Sequence, residues 1–161
     1  HLDWVKISNE MCQKLEDHFK NATGILGFYW PQKLEFDIKP FIVEWIAKNN
    51  RAALPVYTPN QPLCYFLWEP SQMLQKNDFG IMEPSPLGKE IIPYTILVPL
   101  LGVDENMYRL GRGGGAFDRT MSYYRGQKWK TKFIGLATPA HLIQNFPREE
   151  HDQPLDEVLW V

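Results

Sequence analysis

Short apolar runs alternate along this chain with stretches whose apolar residues recur at helical spacing, and that alternation is what most narrows the fold. Trp4, Ile7, Met11, Leu15 and Phe19 predict an amphipathic helix over residues 3–19. "ILGFYW" (25–30) reads as a buried strand stopped by Pro31, and "PFIVEWIAKNN" (40–50) as a second helix with Pro40 in its first turn. "AALPVY" (52–57) and "LCYFLW" (63–68) predict two strands joined by a Pro/Asn/Gln turn. "YTILVPL" (94–100) is the most apolar run and is expected at the centre of a sheet. "AFDRTMSYYR" (116–125) reads as a helix, "KFIGLA" (132–137) as a strand, "PAHLIQNF" (139–146) as a short helix and "EVLWV" (157–161) as a last strand. Strands interleaved with helices imply the α/β class, here a three-layer α/β/α sandwich with a largely parallel central sheet. In such sheets ligands bind beyond the carboxyl ends of the strands.

The 161 residues carry no internal repeat and no long linker, so a single domain over 1–161 is expected. A formal net charge of −2 argues against a nucleic-acid partner, which needs a basic surface. The apolar run Ile91–Leu101 is too short and too polar at its edges to span a bilayer, so no membrane partner is expected. No basic and apolar leader opens the sequence, and a cytoplasmic monomer is the expectation. Cys12 and Cys64 lie far apart without a C-x-x-C partner, which favours two buried thiols over a disulfide.

Residues 109–119 read "RLGRGGGAFDR", four glycines in five positions between arginines and an Asp-Arg pair. Glycine loses more conformational entropy on folding than any other residue, so such a cluster needs a reason. A Walker A loop is excluded, because Gly-Lys-Ser/Thr is absent at the required offset. Gly111, Gly113 and Ala116 match a dinucleotide fingerprint, but Val103–Tyr108 separates them from the strand and no acidic residue ends the next one. A third reading is a phosphate cradle at a helix N-terminus, with backbone N–H groups and Arg109, Arg112 and Arg119 as donors. Three arginines and a following helix favour the cradle over a plain solvated turn.

These residues are similar to those of the 5-formyltetrahydrofolate cyclo-ligases, also called methenyltetrahydrofolate synthetases. The stretch Arg109–Arg119 resembles the family's phosphate loop, "RLGxGGGYYDR". "FYWPQKLEFD" (28–37), "ALPVYTPNQPLCYFLW" (53–68), "FGIMEP" (79–84) and "HDQPLDEVL" (151–159) resemble further family signatures in the same order. The resemblance implies ATP- and Mg²⁺-dependent closure of 5-formyltetrahydrofolate to 5,10-methenyltetrahydrofolate, with release of ADP and phosphate. In that chemistry the formyl oxygen attacks the γ-phosphate, N10 closes the ring and phosphate leaves. It further implies that Arg109, Leu110, Gly111, Arg112, Gly113, Gly114, Gly115, Ala116 and Phe117 hold the nucleotide. Trp30 and Glu35, with Arg112 through Ala116, would border the folate. Asp118 and Asp152 match the magnesium positions, and Arg112 and Asp118 are the implied catalytic groups. His151 is read as orienting its loop, and Tyr65 and Trp68 as core.

The sequence departs from the pattern in places. Ala116 stands where the family usually has an aromatic, Phe117 where it has a tyrosine, and Ile38 where it has a threonine. The opening "HLDWVKISNEM" resembles the segment after the family's N-terminal helix, whose Lys-x-x-x-Arg pattern reaches ATP. The opening segment without that basic pair and Ala116 motivate an alternative, a relative that binds folate and nucleotide with impaired turnover.

Overall fold

The computed structural model describes residues 1–161. In chain order the elements are α1 (Trp4–His18), β1 (Ile25–Gly27), α2 (Lys39–Ala47), β2 (Arg51–Val56), β3 (Cys64–Trp68), β4 (Leu74–Lys76), β5 (Met82–Pro84) and β6 (Glu90–Ile91). They continue with β7 (Thr95–Val98), β8 (Gly102–Val103), β9 (Arg109–Leu110), α3 (Ala116–Gly126), β10 (Lys132–Ala137), a 3₁₀ turn (Pro139–His141) and β11 (Glu157–Trp160). One seven-stranded sheet has the order β11-β10-β7-β1-β2-β3-β6. Its first five strands are mutually parallel, and β3 and β6 add antiparallel pairs at one edge. The apolar run of β7 is buried along its whole length between β10 and β1, as its composition requires.

The two-residue period of the strands builds two cores from one sheet. Ala52 and Leu54 of β2, Leu97 of β7 and Ile134 and Leu136 of β10 pack with Met11 and Leu15 of α1 and Phe41, Ile42 and Trp45 of α2. Their neighbours Ala53, Ile96, Val98, Phe133 and Ala137 pack with Met121 and Tyr124 of α3. Helices α1 and α2 therefore cover one face and α3 the other, the expected three layers. On the α3 face Gly135 admits no side chain: a Cβ there would sit 2.6 Å from Leu155 Cδ1 and 3.0 Å from Leu100 Cδ2. Helix α1 opens on Asp3, whose Oδ1 accepts from the Lys6 amide at 3.1 Å. Helix α2 has no side-chain cap, because the residue at that position, Ile38, is fully buried in the core instead.

Four local expectations need correction. β1 ends at Gly27 rather than Trp30, because Tyr29 turns inward and donates its hydroxyl to the Phe36 carbonyl at 3.1 Å. The helix expected over 139–146 is a single 3₁₀ turn: His141 Nδ1 accepts from the Thr138 amide at 3.0 Å, and Leu142 is already extended. Cys64 is exposed at the first position of β3, while Cys12 is partly buried; both thiols are free. The small hairpins β4–β5 and β8–β9, and the two-residue β6, have no counterpart in the sequence reading. No helix is long and apolar enough to cross a membrane.

Candidate active site

The carboxyl ends of β1 and β7 carry the two loops that the sequence singles out. After β7 the chain makes the β8–β9 hairpin, in register Gly102↔Leu110 and Val103↔Arg109. Asp104 ties its turn, with Oδ1 accepting from the amides of Asn106 and Tyr108 at 2.9 Å each. The glycines then lead into α3. Gly113 has φ 96° and Gly115 φ 69°, left-handed values that a Cβ disfavours. Gly115 is the N-cap of α3 and offers no side-chain acceptor, so the amides of the first turn keep no capping partner. An uncapped helix start behind a bare backbone is an anion-binding arrangement.

Beneath this loop lies Arg109. A Cβ at Gly111 would collide with its guanidinium, so that glycine is what lets the side chain fold back under the loop. The guanidinium stacks on Phe117 at 5.0 Å, and its buried Nε has no hydrogen-bond partner. Burial lowers the Arg109 pKa, opposed by the fields of Asp118, Glu35 and Asp152. Three acids from separate segments thus surround one cation. Asp118, in the first turn of α3, accepts the Gln153 amide on Oδ1 at 3.0 Å. Burial raises its pKa, and Asp152 adds to the rise. Asp152 Oδ2 accepts from the Glu149 amide at 2.8 Å, and its Oδ1 lies 3.9 Å from His151 Nε2.

The loop after β1 supplies Glu35. Its turn is fixed by Gln32 N donating to Glu35 Oε1 at 2.8 Å and by Leu34 at φ 67°. Asp37 N donates to Ser8 Oγ of α1 at 2.9 Å, which anchors the loop's far end. The Glu35 side chain is only 8% exposed, and burial raises its pKa against the pull of the Gln32 amide, Arg112 and Arg109. Arg112 reaches across from the glycine loop: its Nε is 3.5 Å from Glu35 Oε2, and its NH2 group donates to the Lys33 carbonyl. Trp30 packs edge-on against Trp68 at 5.9 Å and carries Lys39 Nζ over its ring at 4.9 Å.

The structure therefore gathers Glu35, Arg109, Arg112, Asp118 and Asp152 around the glycine loop, from three segments far apart in sequence. It treats other residues differently. Arg119 braces the loop, donating to the Gly114 carbonyl at 2.7 Å and the Gln61 carbonyl at 3.1 Å, and its NH2 group is buried without a partner. Leu110 is exposed in β9, while Ala116 and Phe117 pack against the α3-side core. Gly114 has no left-handed φ, so the strained positions are its two neighbours. His151 is exposed beside Glu149, at 3.2 Å. Tyr65 and Trp68 are core residues, as their surroundings in the sequence suggest. Tyr57, at the end of β2, carries no role in the sequence reading. Its hydroxyl would lie 3.7 Å from a Cβ at Gly114, its ring meets Phe79 edge-on at 4.9 Å, and its amide donates to Glu83 at 2.7 Å. The Glu of "FGIMEP" was the available signal, since a half-buried carboxylate needs a donor.

The comparisons with known proteins identify the family and the fold. A family model described as the 5-formyltetrahydrofolate cyclo-ligase family matches residues 1–161. The 5-formyltetrahydrofolate cyclo-ligase of Escherichia coli (strain K12) is 33% identical over 131 residues, which is 78% of this chain and 71% of the relative. The Haemophilus influenzae protein of the same name is 30% identical over 143 residues, 83% of this chain and 74% of its own. Among solved structures, the 5,10-methenyltetrahydrofolate synthetase of Aquifex aeolicus superposes with a TM-score of 0.73 at 26% identity, covering 96% of this chain and 80% of that one. The Mycoplasma pneumoniae synthetase superposes with a TM-score of 0.71 at 22% identity, over 94% and 82%, and shares the fold.

Proposed function

The chain belongs to the 5-formyltetrahydrofolate cyclo-ligase family, and from that premise we propose that it uses ATP to close 5-formyltetrahydrofolate to 5,10-methenyltetrahydrofolate, releasing ADP and phosphate. The observation that carries this reading is the Arg109 guanidinium, folded under the glycine loop beside an uncapped helix start with its Nε unpaired. A buried donor left without a partner costs about 1–3 kcal/mol. A triphosphate would supply the missing acceptors.

In the proposed reaction the formyl oxygen attacks the γ-phosphorus, a C–O–P linkage forms and the bond to ADP breaks. N10 then attacks the formyl carbon, phosphate departs with the linking oxygen, and N10 loses its proton. The protein's task is positioning and charge neutralisation, the usual requirements of phosphoryl transfer. Gly111 and Gly113 through Gly115 present backbone N–H groups, with Leu110, Ala116 and Phe117 flanking the nucleotide. Arg109 meets phosphate oxygens from below, and Arg112 neutralises charge at the transferring group. Glu35 accepts N–H groups of the pterin beside Trp30, with Arg112 and the glycines as the facing wall.

Asp118 and Asp152 fit a hard divalent cation. Each spends one carboxylate oxygen on a backbone amide and keeps the other, and they share one field. The rest of the shell would be phosphate oxygens and water, as Mg²⁺ prefers. When bound, Mg²⁺ neutralises charge on the triphosphate. The test is a near-ultraviolet assay for methenyl product with 5-formyltetrahydrofolate and ATP. Product is expected with Mg²⁺ and not with excess chelator; no ATP-dependent absorbance change at high enzyme concentration sinks the reading. The binding-only alternative predicts calorimetric binding of both ligands with no product under the same conditions.

A further inference from the structure

Resting on that cyclo-ligase reading, we propose that Arg112 is a latch across the two halves of the site, which folate releases toward the nucleotide and the nucleotide releases toward folate. Glu35 has two carboxylate oxygens. Oε1 is already used by the Gln32 amide at 2.8 Å, so Oε2 is the one left for a ligand, and Arg112 Nε occupies its approach at 3.5 Å. The Arg112 side chain is 44% exposed over a Glu35 side chain that is 8% exposed. A second anchor holds it there, the NH2 group donating to the Lys33 carbonyl in the same turn. A ligand that donates N–H groups to Glu35 must therefore move Arg112 aside.

The loop is built to let it move. Arg112 stands between Gly111 and Gly113, and Gly113 sits at φ 96° with open space where a Cβ would be. Release does not leave Glu35 uncompensated, because Arg109 also acts on it. The displaced guanidinium stays on the loop whose N–H groups and helix start favour anions, so its new partner is a phosphate oxygen. Each ligand thus prefers the unlatched state, and linkage requires that each raise the other's affinity by the same factor.

The test uses the intact chain, a non-hydrolysable β,γ-imido ATP analogue and 5-formyltetrahydrofolate. Calorimetry is expected to give an analogue affinity about fivefold or more tighter with saturating folate, the lower end of couplings between sites. Folate brings its own carboxylates, so simple electrostatics predicts the opposite sign. Glu35→Gln keeps an oxygen for the Gln32 amide but loses the charge that holds Arg112. It is expected to bind the analogue several-fold more tightly than the parent without folate. Analogue affinity that is unchanged or weaker with folate, or unchanged in Glu35→Gln, overturns the latch and leaves the nucleotide site standing. No analogue binding to the parent at all overturns the cyclo-ligase reading and the latch with it.

Discussion

Arg109→Met should make the protein more stable and worse at its task. The arginine is held in place at a net loss: burial outweighs three nearby carboxylates and sets its pKa below the ordinary value. Its Nε is buried without a partner, a deficit of about 1–3 kcal/mol. Against this stands the stacking on Phe117 at 5.0 Å, about 0.5–1 kcal/mol, which the thioether of methionine in part replaces. The balance predicts a gain of about 1 kcal/mol for the ligand-free variant, or about 2–4 °C in Tm for a chain of this size. Nucleotide binding moves the other way. Charge-assisted hydrogen bonds contribute about 1.5–3 kcal/mol each, so losing one or two predicts an affinity loss of at least tenfold. Thermal melts without ligand and calorimetry with the imido analogue measure both quantities on the same sample. A Tm lowered by several degrees, with analogue affinity within twofold of the parent, would mean that Arg109 is a structural cation and that the loop above it is not a phosphate site.

Gly135→Ala places a Cβ against Leu155 and Leu100 in a closed core, and overpacking of this kind should lower stability by about 1–3 kcal/mol in denaturant melts, with an unchanged midpoint counting against the packing described. Ala116→Tyr supplies an aromatic ring beside the glycine loop and is expected to lower KM for the folate about three- to tenfold while leaving KM for ATP nearly unchanged. Equal shifts in both KM values with stability intact would remove Ala116 from the folate side. Glu35 must be ionised to accept pterin N–H groups, and burial raises its pKa. Folate affinity should therefore fall as pH drops through the range just above the ordinary glutamate value, because the folded protein takes up the proton that disables the site. Folate dissociation constants that stay flat from pH 7 down to 4.5 would contradict this assignment.

The layers of the fold were legible because long apolar periodicities leave few choices. Once Ala52, Leu54, Leu97 and Ile134 face one way, their neighbours must face the other. The hairpins β4–β5 and β8–β9 were not legible. Strands of two or three residues bury too little to leave a pattern and are held by tertiary contacts, such as the Leu155 amide donating to the Met107 carbonyl at 2.8 Å. The exposure of Cys64 follows from its place at the start of a strand, where composition says nothing about facing. In the candidate site, residue types were legible and partnerships were not. The motif shows three arginines, but only the fold assigns Arg109 to the depth of the site, Arg112 to Glu35 and Arg119 to the loop's own carbonyl. Glu35 and Gln61, which partner Arg112 and Arg119, lie far from them in sequence.

The central claim is that the glycine loop and the Glu35 turn are two halves of one site, the first for phosphates and the second for folate. An 18.8 kDa chain is well suited to following each backbone amide by heteronuclear NMR while the two ligands are added separately. The imido ATP analogue with Mg²⁺ is expected to give its largest shifts at Gly111, Gly113, Gly114, Gly115 and Ala116. 5-Formyltetrahydrofolate is expected to give its largest shifts at Gln32 through Glu35 and at the Trp30 indole. Largest shifts elsewhere, for instance in the polar recess formed by Asn106, Gln144, Asn145 and Arg148 or in the groove between the ends of α1 and α2, would contradict the account.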